Sequence, residues 1–122
     1  MGLNSSKAME VNDSVKKFVD SVISDNKVVV FSKIYCPFCS KAKKVLEKYP
    51  ILDNQYVVLE IEDRDDCNQI QEYLRQLTGA SSVPRVFING NFIGGGDDTV
   101  RLDSSGELGK RLEECQALKQ KL

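Results

Sequence analysis

The feature that most constrains the fold is Val28-Val29-Val30-Phe31, four consecutive apolar residues of which three are β-branched. No polar residue alternates with them, so the segment has no side suited to water. A run of this length and composition fits a strand covered on both faces, as at the centre of an α/β sheet. A few residues later the chain reads Cys36-Pro37-Phe38-Cys39. Pro37 to Lys48 then predicts a helix, because Pro in a first turn costs no hydrogen bond and Ala42, Val45 and Leu46 fall on one side. A cysteine therefore stands where a buried strand gives way to a helix.

The remaining segments fill in an alternating pattern. Val15, Phe18, Val19, Val22 and Ile23 predict an amphipathic helix over Asp13 to Ser24, broken by Asp25-Asn26. Tyr56 to Ile61 reads as a second strand. Ile70, Tyr73, Leu74 and Leu77 recur at helical spacing, and Gly79 supplies a stop. Val86-Phe87-Ile88 and Phe92-Ile93 flank Asn89-Gly90, a strong hairpin signal assigned to structure only. Gly94-Gly95-Gly96 followed by Asp97-Asp98 predicts a sharp turn into a capped helix. A final helix from about Glu107 carries Leu108, Leu112, Cys115 and Leu118 on one face.

The early β-α-β unit implies a parallel pair with a crossover helix, and the hairpin adds antiparallel strands. One mixed sheet flanked by helices is expected. Residues 1–10 read as a flexible N-terminal arm and 11–122 as a single domain, since 122 residues is the size of one domain.

Composition narrows the chemistry. Seventeen Lys and Arg against 18 Asp and Glu give a net charge of -1, which argues against nucleic-acid binding. No apolar run approaches the ~20 residues needed to span a bilayer. There is no histidine, which excludes Ser-His-Asp and Cys-His catalysis and zinc sites with imidazole ligands. A nucleophile here must be activated by something else. The first 50 residues hold nine Lys against five acids, and the basic stretch Lys33 to Lys48 surrounds the cysteine pair.

A Cys-x-x-Cys pair after a strand in a β-α-β pattern reads as a redox dithiol. Cys36 falls at or near the helix N-cap, where unpaired backbone N–H groups and the macrodipole favour an anion. The thiolate is the attacking species. Lys33 and the lysines at 41, 43 and 44 add positive potential. Cys39, one turn on, is placed to resolve a mixed disulfide on Cys36. A structural disulfide competes, but so short a loop stabilises little. Zinc would need ligands beyond the scattered Cys67 and Cys115, and plain core cysteines fit poorly with the intervening Pro.

The chain resembles a dithiol glutaredoxin of the thioredoxin-fold superfamily over about residues 15–118. The residues that carry this are Ser32-Lys33, Cys36-Pro37-Phe38-Cys39, Thr78-Gly79, Ser82-Val83-Pro84-Arg85-Val86-Phe87-Ile88-Asn89-Gly90, and Ile93-Gly94-Gly95 through Asp98. The thioredoxin branch is disfavoured, with no Trp before Cys36 and no Gly-Pro between the cysteines. Phe38 stands where many dithiol relatives have Tyr, which keeps an aromatic wall. The resemblance implies a thioredoxin fold, a four-stranded mixed sheet with an extra N-terminal helix. It also implies a glutathione-dependent thiol-disulfide oxidoreductase that reduces protein–glutathione mixed disulfides and protein disulfides.

Glutathione is then the expected co-substrate, with no metal. Lys33 and Gln71 would meet its glycyl end, and Phe38 would wall the site. Val83 would pair its backbone with the cysteinyl unit beside a cis Val83-Pro84 bond. Gly96, Asp97 and Asp98 would hold the γ-glutamyl end, where a helix N-terminus suits a carboxylate. Asp97 and Asp98 also read as simple helix caps, Asp97 more so. Some family members instead share a 2Fe–2S cluster between two subunits, typically with Gly or Ser at the position of Pro37.

The expected partners are glutathione, glutathionylated or disulfide-containing proteins, and a separate reductase that regenerates glutathione. A monomer in the cytoplasm is expected. Met1-Gly2-Leu3-Asn4-Ser5-Ser6 also fits the acceptor pattern for N-myristoylation at Gly2, which offers an alternative membrane association. Cys115 shares an apolar helix face and reads as inert. Cys67 follows the acidic run Glu62-Asp63-Arg64-Asp65-Asp66, which disfavours a further negative charge.

Overall fold

In the computed structural model, which describes residues 10–120, the Val28 run forms the inner strand β1 (Val28–Ser32), every residue of it buried. Its side chains alternate between two cores, as the period of a strand requires. Val28 and Val30 enter one cluster with Ala42, Leu46, Leu108 and Leu112. Val29 and Phe31 enter the other with Val15, Val19, Ile70, Leu74 and Phe87. Each fully buried Val or Phe contributes about 1.5–3 kcal/mol over an exposed one, so a run with no solvent side is strongly held.

Around this strand lie α1 (Asp13–Asp25), α2 (Pro37–Leu46), β2 (Tyr56–Glu60), α3 (Cys67–Thr78), β3 (Arg85–Ile88), β4 (Asn91–Gly94), α4 (Gly96–Ser105) and α5 (Glu107–Glu114). The strands run in the order β2-β1-β3-β4. The β1–β2 pair is parallel, while β1–β3 and β3–β4 are antiparallel. Asn89 and Gly90 both take positive φ, 51° and 81°, the geometry of the two-residue hairpin turn that their sequence suggests. This is the expected α/β, thioredoxin-fold sheet with an additional N-terminal helix.

Three details differ from expectation. The last helix stops at Glu114 rather than running on to Leu118. Gln116 turns left-handed at φ 63°, and the Ala117 N–H donates to the Leu112 carbonyl at 3.0 Å, closing a Schellman-type end. Leu118 then pairs with Ile51 in an isolated antiparallel bridge. Leu77, expected on the packed face of α3, is exposed on the helix's last turn. Helix α2 ends two residues early, ahead of Pro50, within the usual scatter of helix ends.

No helix among the described residues is long and apolar enough to cross a membrane. The N-terminal arm up to residue 9, with the acceptor pattern at Gly2, lies outside the described residues.

Candidate active site

Cys36 is the N-cap of α2. Its extended backbone leaves the helix, and its Sγ accepts the Cys39 N–H at 3.4 Å. On the opposite side the Cys36 Sγ–H faces the Val83 carbonyl at 3.6 Å. The peptide bond between Val83 and Pro84 is cis, as the resemblance implies, and Pro84 is buried.

The two thiols sit in different surroundings. Cys36 is half-buried, whereas Cys39 is fully enclosed and its sulfur accepts the Lys33 N–H at 3.4 Å. Burial pushes the Cys39 thiol up from its ordinary range, against the opposing pull of that Lys33 N–H. An enclosed sulfur one turn behind an accessible one suits sequential thiol chemistry.

Helix α4 completes the opposite wall. Its first residue, Gly96, packs so closely on α2 that an added Cβ would lie 2.7 Å from the Phe38 carbonyl oxygen. Lys41 pairs with Asp97 at 3.0 Å, and further along Asp103 holds both Lys48 at 2.6 Å and the Tyr49 hydroxyl at 2.5 Å. Contacts that match start with start and end with end mean that α2 and α4 run parallel. Their positive N-terminal ends therefore lie side by side, a setting favourable to anions.

The Asp98 carboxylate reaches back to accept the Gly95 N–H at 3.0 Å and also meets Arg101. Those two donors, the amide first, hold its carboxyl below the usual carboxylate range. Helix α4 has no side-chain cap at its own first-turn amides.

The fold thus gathers Lys33, Cys36, Phe38, Cys39, Val83, Pro84, Gly96, Asp97 and Asp98 around the N-terminal ends of α2 and α4. Phe38 is 49% exposed, with the Lys41 ammonium 5.1 Å above its ring. Lys33 is half-buried, and among the described residues no carboxylate pairs with it. Gln71 stands at the margin. Its Nε2 donates to the Ser81 carbonyl at 2.8 Å, and the Cys67 thiol donates to its Oε1 at 3.5 Å. Asp97 does not act as a cap; Asp98 does.

Sequence reasoning did not single out Glu62, whose Oε1 accepts the Ile34 N–H at 3.2 Å and so fastens the loop before Cys36. It also gave no role to Tyr35, 90% exposed beside the cysteine. An aromatic residue adjacent to Cys36 was a usable signal for the latter. A contact 28 residues apart gave no local signal for the former.

Similarity to known proteins agrees with this geometry. The glutaredoxin family profile matches residues 28–93. The chain is 46% identical to human glutaredoxin-1 over 103 residues, covering 84% of this chain and 97% of that protein. It is 48% identical to glutaredoxin-C4 of Arabidopsis thaliana over 95 residues, covering 78% and 68%. Among solved structures, oxidized glutaredoxin 2 from Chlamydomonas reinhardtii superposes with a TM-score of 0.82 at 45% identity, covering 89% of this chain and all of that one. A buckwheat glutaredoxin–glutathione complex superposes with a TM-score of 0.80 at 34% identity, covering 90% and 100%. With the dithiol at a helix N-cap, the cis-proline loop opposite and human glutaredoxin-1 matched over 97% of its length, the chain belongs to the glutaredoxin family of thiol-disulfide oxidoreductases.

Proposed function

We propose that Cys36 is the nucleophile and that glutathione is the co-substrate held between α2, α4 and the Val83-Pro84 loop. The observation that carries this reading is the unequal pair of sulfurs: Cys36 half-exposed at a helix N-cap, Cys39 enclosed behind it. A Cys36 thiolate attacks the glutathionyl sulfur of a protein–glutathione mixed disulfide. The old S–S bond breaks and the protein leaves as a thiolate, which takes up a proton. A second glutathione, as thiolate, then attacks the glutathionyl sulfur on Cys36, forming glutathione disulfide and returning the Cys36 thiolate. For a protein disulfide, Cys39 attacks the sulfur of Cys36, leaving a Cys36–Cys39 disulfide for glutathione to reduce.

Each contact has a chemical reason. Lys33 and Gln71 suit the glycyl carboxylate end, and the backbone of Val83 beside Pro84 suits strand-like pairing with the cysteinyl unit. The uncapped amides of Gly96, Asp97 and Asp98 suit the γ-glutamyl carboxylate, with a neighbouring carboxylate for its amine. Phe38 supplies an apolar wall. The complex of a buckwheat relative with glutathione supports the choice of ligand. We place the protein as a monomer in the cytoplasm, acting on glutathionylated and disulfide-bearing proteins, with a separate reductase restoring glutathione. Myristoylation of Gly2 is the alternative for location, and mass spectrometry of the native N-terminus decides it.

The test is a coupled glutathione-dependent reduction assay run beside a thioredoxin reductase assay. Cys36→Ser is expected to lose deglutathionylation by at least about 1000-fold. Cys39→Ser is expected to retain it within about tenfold while losing protein-disulfide reduction. Equal losses in both variants, or preference for thioredoxin reductase, would overturn the assignment.

A further inference from the structure

Cys39 must become an anion in the dithiol route, yet it is buried, so something nearby has to make negative charge acceptable there. Helix geometry names the candidate. Lys43 lies one turn beyond Cys39 at i+4, on the same face of α2. Its ammonium is anchored by Glu60 Oε2 at 2.8 Å, and negative charge on Cys39, one turn back, favours that ammonium. The two side chains are only 21% and 29% exposed, so the pair is shielded from solvent more than an ordinary surface ion pair.

Glu60 is well placed to hold that charge. It ends β2, directly across from Ser32 at the end of β1. The next residue, Lys33, donates its N–H to Cys39. The other Glu60 oxygen, Oε1, is buried without a hydrogen-bond partner. The carboxylate is thus committed to Lys43 through one oxygen.

We propose that Lys43, held by Glu60, is a positioning residue for the resolving step, its ammonium stabilising negative charge on Cys39 as that sulfur attacks. This rests on the reading of Cys36 and Cys39 given above and adds the source of activation for the second thiol. In the step, Cys39 loses its proton to water and attacks Cys36 Sγ. The Cys36–Cys39 bond forms and the Cys36–glutathione bond breaks. The Cys39 sulfur is oxidised, the glutathionyl sulfur is reduced, and the departing thiolate recovers a proton. Cys36 itself faces Cys39 from the start of the helix. Glu47, the C-cap of α2, and Tyr56 on β2, hydrogen-bonded to each other at 3.1 Å, flank the ion pair. The hydrogen bond to Glu60 raises the Lys43 ammonium above its usual range, so its charge persists where the thiol titrates.

Rapid-quench mass spectrometry separates the steps. Reduced protein is mixed with glutathione disulfide, and the Cys36 mixed disulfide is followed into the Cys36–Cys39 disulfide across pH. Lys43→Met is expected to slow closure about tenfold and to move its pH midpoint up by about one pH unit. The first phase, formation of the mixed disulfide, should slow less than the second. Lys43→Arg, which keeps the charge, should restore closure to within about threefold. Closure of Lys43→Met at the original rate across pH would overturn the proposal. So would a uniform slowing that Lys43→Arg fails to restore, since that would report packing. Failure of the unaltered protein to form a mixed disulfide at Cys36 would instead bring down the assignment of Cys36, and this inference with it.

Discussion

Helices α2 and α4 lie side by side and point the same way, but their N-termini are finished with different atoms. At α2 the cap is a sulfur, accepting one amide at 3.4 Å, a long contact from a weak acceptor. At α4 a carboxylate from Asp98 reaches back to the Gly95 N–H at 3.0 Å and adds an ion pair with Arg101. The first arrangement leaves the capping atom free to react. The second fixes the turn and leaves the first-turn amides of α4 without a side-chain cap. In the mechanism proposed above, one helix end does the chemistry and the other defines the wall against which it happens.

Three substitutions sharpen or break this contrast. Gly96→Ala should have the largest effect on folding, because its Cβ would meet backbone of α2 at 2.7 Å. The helices must separate, costing about 2 kcal/mol and lowering the melting temperature by about 8 °C. A variant melting like the original protein would show that the two helix ends are not tightly apposed.

Asp98→Ala comes next, at about 1 kcal/mol for a lost capping interaction, or a fall of about 4 °C in melting temperature. Its sign with pH follows from the lowered carboxyl of Asp98. A carboxylate favoured by folding contributes fully above about pH 4 and loses its contribution as pH falls through its lowered value. The gap between the two melting curves should therefore close in acid; a gap that persists there would mean that Asp98 acts through packing. The smallest effect belongs to Lys41→Met. Its bridge to Asp97 joins side chains 46% and 68% exposed, and such pairs contribute less than about 1 kcal/mol. Thermal melts at low and high salt should barely distinguish it, and a clear loss would make that bridge part of the wall.

The sheet and most of the candidate site are legible in the sequence, for reasons that are local. Val28 to Phe31 had no polar member, Asn89-Gly90 supplied a hairpin, and Pro37 marked a first turn. The cap role of Cys36 followed from the strand before it and Pro37 after it. What escaped was set by distance in the chain or by an unusual residue. Lys43 meets Glu60 only because α2 crosses beside β2, 17 residues on. Asp103 meets Tyr49 across 54 residues, and there burial pushes the Tyr49 hydroxyl up to about 12. The end of α5 was hidden because Gln116, rather than glycine, adopts the left-handed turn, while apolar spacing continued misleadingly to Leu118. Asp98 showed the right chemistry in the sequence, but which of two adjacent acids would bend back to Gly95 depended on the helix register.

The amide that Lys33 directs at the enclosed sulfur of Cys39 ties the exit of the central strand to the electronic state of that atom. Whenever the thiol is consumed in a disulfide, the magnetic environment of this one backbone proton changes. The protein thus carries its own label-free indicator of oxidation, readable in a two-dimensional NMR spectrum without a dye, a tag or an added cysteine.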